Sequence, residues 1–190
     1  MLVAPSWGKN SLLENLGAEL VEVLLGTGHH ITVRPHVMTI RHRRNLLGQM
    51  QKQFGPNPKF ALDLSLRSQG VMHEYDLLIA DWGGSALEYA FGLERPVLFV
   101  DVPRKVFNPE YERLPCIPIE VQARSDIGDI VSPDRLLEVP ERIERLLEDT
   151  TVRKNLIIEA RSRWVYNIGA SGKVGAKYIS STADKLRNGA

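Results

Sequence analysis

The 190 residues suffice for one domain, or one domain with a small appendage. Apolar residues make up 43%, enough for a full core, and the 25% that are charged are ordinary for a soluble protein. A net charge of +1 excludes recruitment to nucleic acid or an anionic membrane by the overall field, and no run reaches the ~18 consecutive apolar residues of a membrane span.

The single cysteine, Cys116, can form no internal disulfide, which fits a reducing compartment. It reads as a small apolar residue beside a strand rather than as a nucleophile. Met1 stands directly before the apolar Leu2-Val3-Ala4, without the basic leader and long apolar run of a signal peptide. A chain that opens inside its first strand is expected to be part of something longer.

Apolar runs then alternate with helical patterns. Ser11-Leu12-Leu13-Glu14 has the form of a capping box, and Leu13, Leu16, Leu20 and Leu24 repeat at helical spacing behind it. Gly26 and Gly28 close that helix, and residues 31–34 form a second strand. One basic helix is expected over residues 39–54, ended by Gly55-Pro56-Asn57-Pro58. A weaker strand at 60–64 and a short helix at 69–75 come next. Leu77-Leu78-Ile79-Ala80 and Val97-Leu98-Phe99-Val100 are unbroken apolar runs, as in strands covered on both faces. Between them Ser85–Leu93 is helical, and residues 117–119 offer a sixth strand. The alternation predicts an α/β fold, a parallel sheet flanked by helices, over about residues 1–120. From about residue 130 the pattern is helical, with starts at Ser132-Pro133, Pro140 and Val152 and a last helix after Gly172.

Charge is uneven along this frame. No acidic residue falls between Glu22 and Asp63, where Arg34, Arg41, Arg43, Arg44, Lys52, Lys59 and four of the five histidines lie. Lys52 and Lys59 fit a solvated face. Arg34 and His36 follow a strand at its carboxyl end, where open parallel sheets bind ligands, and an anion site there is as good a reading.

Four loops share that end: residues 5–10, 35–38, 81–85 and 101–105. In Asp81-Trp82-Gly83-Gly84-Ser85 two glycines separate a buried strand from a helix, so no side chain keeps a phosphate from the backbone N–H groups at the positive helix end. Glu88, one turn on, could accept from two vicinal hydroxyls of a ribose. A plain glycine turn with Glu88 offsetting the helix dipole fits the residues equally well. Neither Gly8-Lys9 nor Gly172-Lys173 completes a phosphate-binding G-x-x-x-x-G-K-[ST] loop. Ser6 and Ser85 lack a nucleophile elbow, His29-His30 lack ligand partners, and no metal or hydrolytic constellation is read.

Together, Ala4-Pro5-Ser6-Trp7-Gly8, Arg34-Pro35-His36, the run from Ala80 to Gly92 and Arg95-Pro96-Val97-Leu98-Phe99 resemble the carboxyl-terminal domain of the CDP-glycerol glycerophosphotransferase family, in order and spacing. These enzymes prime and polymerise teichoic-acid-like chains of the cell wall. The resemblance covers most of the first 115 residues. It implies one half of a GT-B architecture, a Rossmann-like domain that binds the nucleotide donor across a cleft from a second domain.

Carried onto this chain, the resemblance puts Arg34 and His36 near the donor diphosphate as catalytic residues. Ser6, Gly83, Gly84 and Ser85 would hold phosphate oxygens, and Glu88 the ribose. It implies no cofactor beyond the donor substrate, CDP-glycerol or a related nucleotide diphosphate. It also implies a partner amino-terminal acceptor domain outside these residues, so that the chain alone binds without turnover. The whole enzyme would be cytoplasmic, peripheral at the inner face of the membrane through other parts, with no nucleic-acid partner.

Two departures stand out: Val37 replaces the second proline of the family's Arg-Pro-His-Pro, and Gly83 stands where serine is frequent. Two rival readings keep the fold and change the role. One is a GT-B glycosyltransferase or sugar-nucleotide epimerase domain using a UDP- or GDP-sugar. The other is a non-catalytic flavodoxin-like regulatory module.

Overall fold

A computed structural model describes residues 1–65, 69–106 and 108–187. Six parallel strands form one sheet in the order β3-β2-β1-β4-β5-β6, with β1 Leu2–Val3, β2 Ile31–Val33, β3 Phe60–Leu62, β4 Leu78–Ala80, β5 Val97–Val100 and β6 Gly128–Val131. The chain runs outward from β1 to β3 and then crosses back to β4. Strand order therefore reverses between β1 and β4, where doubly wound sheets leave a crevice at the strands' carboxyl ends.

Strand periodicity builds two cores. Val3, Ile79, Leu98 and Val100 face one side, where they meet helix α1, Leu12–Gly26, through Leu13, Leu20 and Leu24. Leu2, Leu78, Ala80, Val97 and Phe99 point to the other side. They pack there on helix α4, Ser85–Leu93, through Tyr89 and Ala90. Alternate residues of one strand serve opposite faces because the side-chain period is two. The α/β class and its flanked parallel sheet are thus as expected.

The crossover after β2 departs from the single expected helix. It divides into α2, Val37–His42, and α3, Arg44–Phe54, at Arg43, whose φ of −127° and ψ of 40° leave the helical region. Arg43 there donates to Glu14 at 2.7 Å, so a tertiary ion pair sits at the break.

The sixth strand is not at residues 117–119. Pro118, which has no N–H to give a sheet, precedes helix α5, Ile119–Gln122, and Ile117 is 61% exposed. Helix α6, Arg124–Ile127, leads instead into β6. A side chain on Gly128 would overlap the Val97 carbonyl, so glycine permits the pairing with β5. Cys116 is exposed in this stretch, not packed beside a strand.

Helices α7, Val139–Glu148, and α8, Thr150–Trp164, close the two faces, with Val139, Ile143 and Leu146 in the first core and Ile157 and Ala160 in the second. The last helix, α9, Ser171–Arg187, buries none of its residues. Among the described residues no helix is long and apolar enough to cross a membrane.

Candidate functional site

The organising residue of the crevice is Asp81, the first after β4 and 2% exposed. Its carboxylate accepts from the Ser6 backbone N–H at 2.6 Å, the Ser6 hydroxyl at 2.8 Å and the Leu12 N–H at 2.9 Å. One side chain therefore ties the loop after β1 to the loop after β4 and caps α1. Acidic caps satisfy free helix N–H groups and favour the positive end of the dipole.

The expected capping box at Ser11 is accordingly absent. Ser11 makes no side-chain cap bond and its buried hydroxyl finds no partner among the described residues. Glu14 accepts from Gly8 N–H at 3.1 Å and from Arg43 instead.

Ser6 thus lies on the crevice beside the glycine turn. There Gly83 has a φ of +148°, which L side chains rarely adopt, whereas Gly84 is in the ordinary helical region and is the N-cap of α4. Among the described residues no side chain caps that helix, and Ser85 is its first residue rather than its cap. A Cβ at Gly84 would meet nothing within 4 Å, so packing within the chain gives no reason for glycine there. Glu88 is exposed on the first turn of α4.

His36 joins this group as the N-cap of α2. Its Nδ1 accepts from the Met38 N–H at 3.1 Å, which leaves the proton of the neutral ring on Nε2. The imidazole stacks on Trp7, the tip of the β1 loop, with centroids 6.0 Å apart and an interplanar angle of 19°. Partial burial, then the charge of Lys105, hold the His36 pKa below the ordinary histidine value.

The folded state prefers neutral His36, so as pH falls below about 6.5 the unfolded chain takes the proton first and stability is lost. The melting-temperature gap between the parent and His36→Gln should therefore narrow from pH 7.5 to pH 5 (roughly one unit above the unperturbed histidine value to more than one below it). A gap that stays constant over that range would show that His36 titrates alike in both states.

Arg34 is placed differently. Its Nε donates to Asp63 Oδ2 at 2.9 Å and its Nη2 lies 2.8 Å from the same oxygen as an ion pair, with only 13% of the arginine side chain exposed. Asp63 also accepts from Ser65, and burial opposed by these bonds leaves its pKa lowered. The pair joins the ends of β2 and β3, and Nη1 of Arg34 has no bond among the described residues.

Three residues that the sequence did not mark complete the crevice. Trp82 donates its indole N–H to the Val102 carbonyl at 2.6 Å, and the guanidinium of Arg124 lies 4.0 Å from its ring centroid. Arg124 is 4% exposed, pairs with Asp101 at 2.6 Å and also stacks over Phe99, so a buried cation clamps the turn to β5. Lys105 donates to Ser6 Oγ at 2.9 Å. Beyond it a cavity of about 260 Å³ opens among Trp82, Arg104, Lys105, Val106, Tyr111 and Glu120. Among the described residues no group of histidine, cysteine and carboxylate side chains could hold a metal ion.

No family model matches the chain, and no curated protein matches it in sequence. Solved structures do match in fold. The wall teichoic acid polymerase TagF, in a structure obtained after a 30 minute soak with CDPG, is 17% identical over 97% of this chain and 42% of its own, with a TM-score of 0.56. The calicheamicin glycosyltransferase CalG4 is 16% identical over 92% of this chain and 41% of its own, with a TM-score of 0.57. Methanocaldococcus jannaschii UDP-GlcNAc 2-epimerase, in complex with UDP-GlcNAc and UDP, is 16% identical over 78% and 38%, with a TM-score of 0.52. This chain spans less than half the length of each. At such identities the likeness establishes the fold alone, a Rossmann-like parallel sheet flanked by helices that matches one part of these GT-B neighbours.

Proposed function

We propose that this chain is the donor-binding domain of a transferase that uses a nucleotide diphosphate, with CDP-glycerol as the donor and a cell-surface polymer as the product. The observation that carries this reading is the convergence at the switch point. Asp81 draws Ser6 to the glycine turn, His36 stacks on the same loop, and α4 presents an amino end that no side chain caps among the described residues. Gly83, Gly84 and Ser85 hold phosphate oxygens through backbone N–H groups, with Ser6, His36 and Arg34 around them. Glycine at 84, which the fold does not require, fits close approach of a phosphate to the backbone.

The group carried by the donor enters the cavity beside Trp82. Its volume of about 260 Å³ lies below the ~300–1,000 Å³ typical of a whole drug-sized ligand, so it suits a polyol rather than a complete nucleotide. Acceptor binding and proton transfer belong to a second domain, and the 190 residues alone are expected to bind without turnover.

A UDP-sugar donor is the second reading, favoured by the UDP in the epimerase complex. Glu88 tests the shared core of both, because a carboxylate on the first turn of α4 holds the ribose hydroxyls in either case. Glu88→Gln should keep the fold, weaken CDP or UDP by about 1–2 kcal/mol and weaken their 2′-deoxy forms by less. Calorimetric titration of all four nucleotides reads the difference. Equal losses for ribo and deoxy forms would leave Glu88 as a helix-start residue offsetting the dipole.

A further inference from the structure

The donor-site reading just given leaves open which side chain balances the diphosphate charge, and the hydrogen bonding of the crevice discriminates between the candidates. Arg34 is compensated already: two of its nitrogens share one oxygen of Asp63. Lys105 makes no ion pair among the described residues. Its ammonium donates to the Ser6 hydroxyl, and that hydroxyl in turn donates a hydrogen bond to Asp81, whose oxygens accept from three donors. An ammonium has three N–H groups, and one is used here.

Position favours Lys105 as well. Its Nζ is 5.9 Å from the Trp7 ring, on which His36 stacks, and its side chain lines the cavity next to Trp82. It therefore stands where the loops after β1, β4 and β5 meet, between the glycine turn's neighbour and the space for the transferred group. Partial burial of this cation depresses its pKa, and a phosphate dianion nearby would offset that desolvation.

We propose that Lys105, rather than Arg34, supplies the principal positive charge at the donor's diphosphate, held ready by Ser6 and Asp81. Arg34 is then a positioning residue that fixes the ends of β2 and β3 and, through them, His36. This assignment rests on the donor-site reading and specifies its cation.

The test is calorimetric titration of the parent, Lys105→Met, Lys105→Gln, Lys105→Arg and Arg34→Met with CDP, CMP and cytidine, and with UDP, UMP and uridine. Thermal melts of each variant accompany the titrations. Lys105→Met and Lys105→Gln should lose about tenfold or more in affinity for the diphosphate, less for the monophosphate and nothing for the nucleoside, as loss of one charge-assisted contact requires. Lys105→Arg should recover most of that loss. Arg34→Met should melt lower while losing less diphosphate affinity than Lys105→Met.

Diphosphate affinity within about twofold of the parent in both neutral variants would overturn the assignment, since a charge-assisted contact is worth more than that. So would equal losses for nucleoside and diphosphate, or a larger diphosphate loss in Arg34→Met. A parent that binds neither CDP nor UDP overturns the donor-site reading itself, and this assignment with it.

Discussion

Asp81→Ala should destabilise the chain by about 3–4 kcal/mol, because three donors that share one buried carboxylate lose their acceptor together and the start of α1 loses its cap. For a chain of this size the melting temperature should fall by roughly 10 °C. Asp81→Asn retains one acceptor oxygen and should fall between the two. The loss should also reach binding, since Ser6 and Lys105 are positioned through the same carboxylate. Thermal melts by circular dichroism give the answer, and an alanine variant melting within about 2 °C of the parent would deny Asp81 its anchoring role.

Gly84→Val should have the opposite signature, with binding lost and the fold kept. The φ of −67° and ψ of −23° at Gly84 suit any L residue, and a Cβ there meets no atom of the chain within 4 Å. The branched side chain would occupy the space above the α4 amino end. Two charge-assisted bonds of about 1.5–3 kcal/mol each would be blocked, an affinity loss of roughly 100-fold or more for a nucleoside diphosphate. Valine is a poorer helix-start residue than glycine, so a stability change of about 1 kcal/mol is expected and no more. A valine variant that binds CDP and UDP as the parent binds them would remove the glycine turn from the site.

The contrast between these two positions shows how far the sequence could be read. The glycine turn was legible because its signal is local: an unbroken apolar strand, two glycines and a helical run set Ser85–Leu93 and Val97–Val100 at their observed bounds. Asp81 stood in the same segment, yet its role depends on Ser6 and Leu12, 75 and 69 residues away in sequence. Sequence spacing carries no trace of such a bond. Glu14 shows the same limit from the other side, since a well-formed local motif lost to Gly8 and Arg43 once the chain closed up.

Strand β6 escaped notice for a different reason. An apolar run marks a strand covered on both faces, but Gly128–Val131 lies at the sheet edge. Its Asp129 is spent on Arg142 and Arg145, and its glycine serves a close backbone approach rather than a turn. Ile117 and Ile119 looked more like a strand and are not one, because Pro118 between them turns the chain into α5. Lys105 was read only as the end of the 101–105 loop and Arg124 not at all, for the same cause as Asp81: each acts on a ring or hydroxyl supplied by another loop.

The donor site we propose is the crevice between β1 and β4, where a nucleotide diphosphate binds. Backbone amide NMR of the 15N-labelled chain, titrated with CDP and with UDP, tests it most directly. Saturable shifts centred on Gly83, Gly84 and Ser85, extending to Ser6, His36 and Lys105, are expected with at least one of the two nucleotides. Unchanged spectra with both, or shifts confined to the opposite end of the sheet around His30, Tyr75 and Arg95, would contradict it.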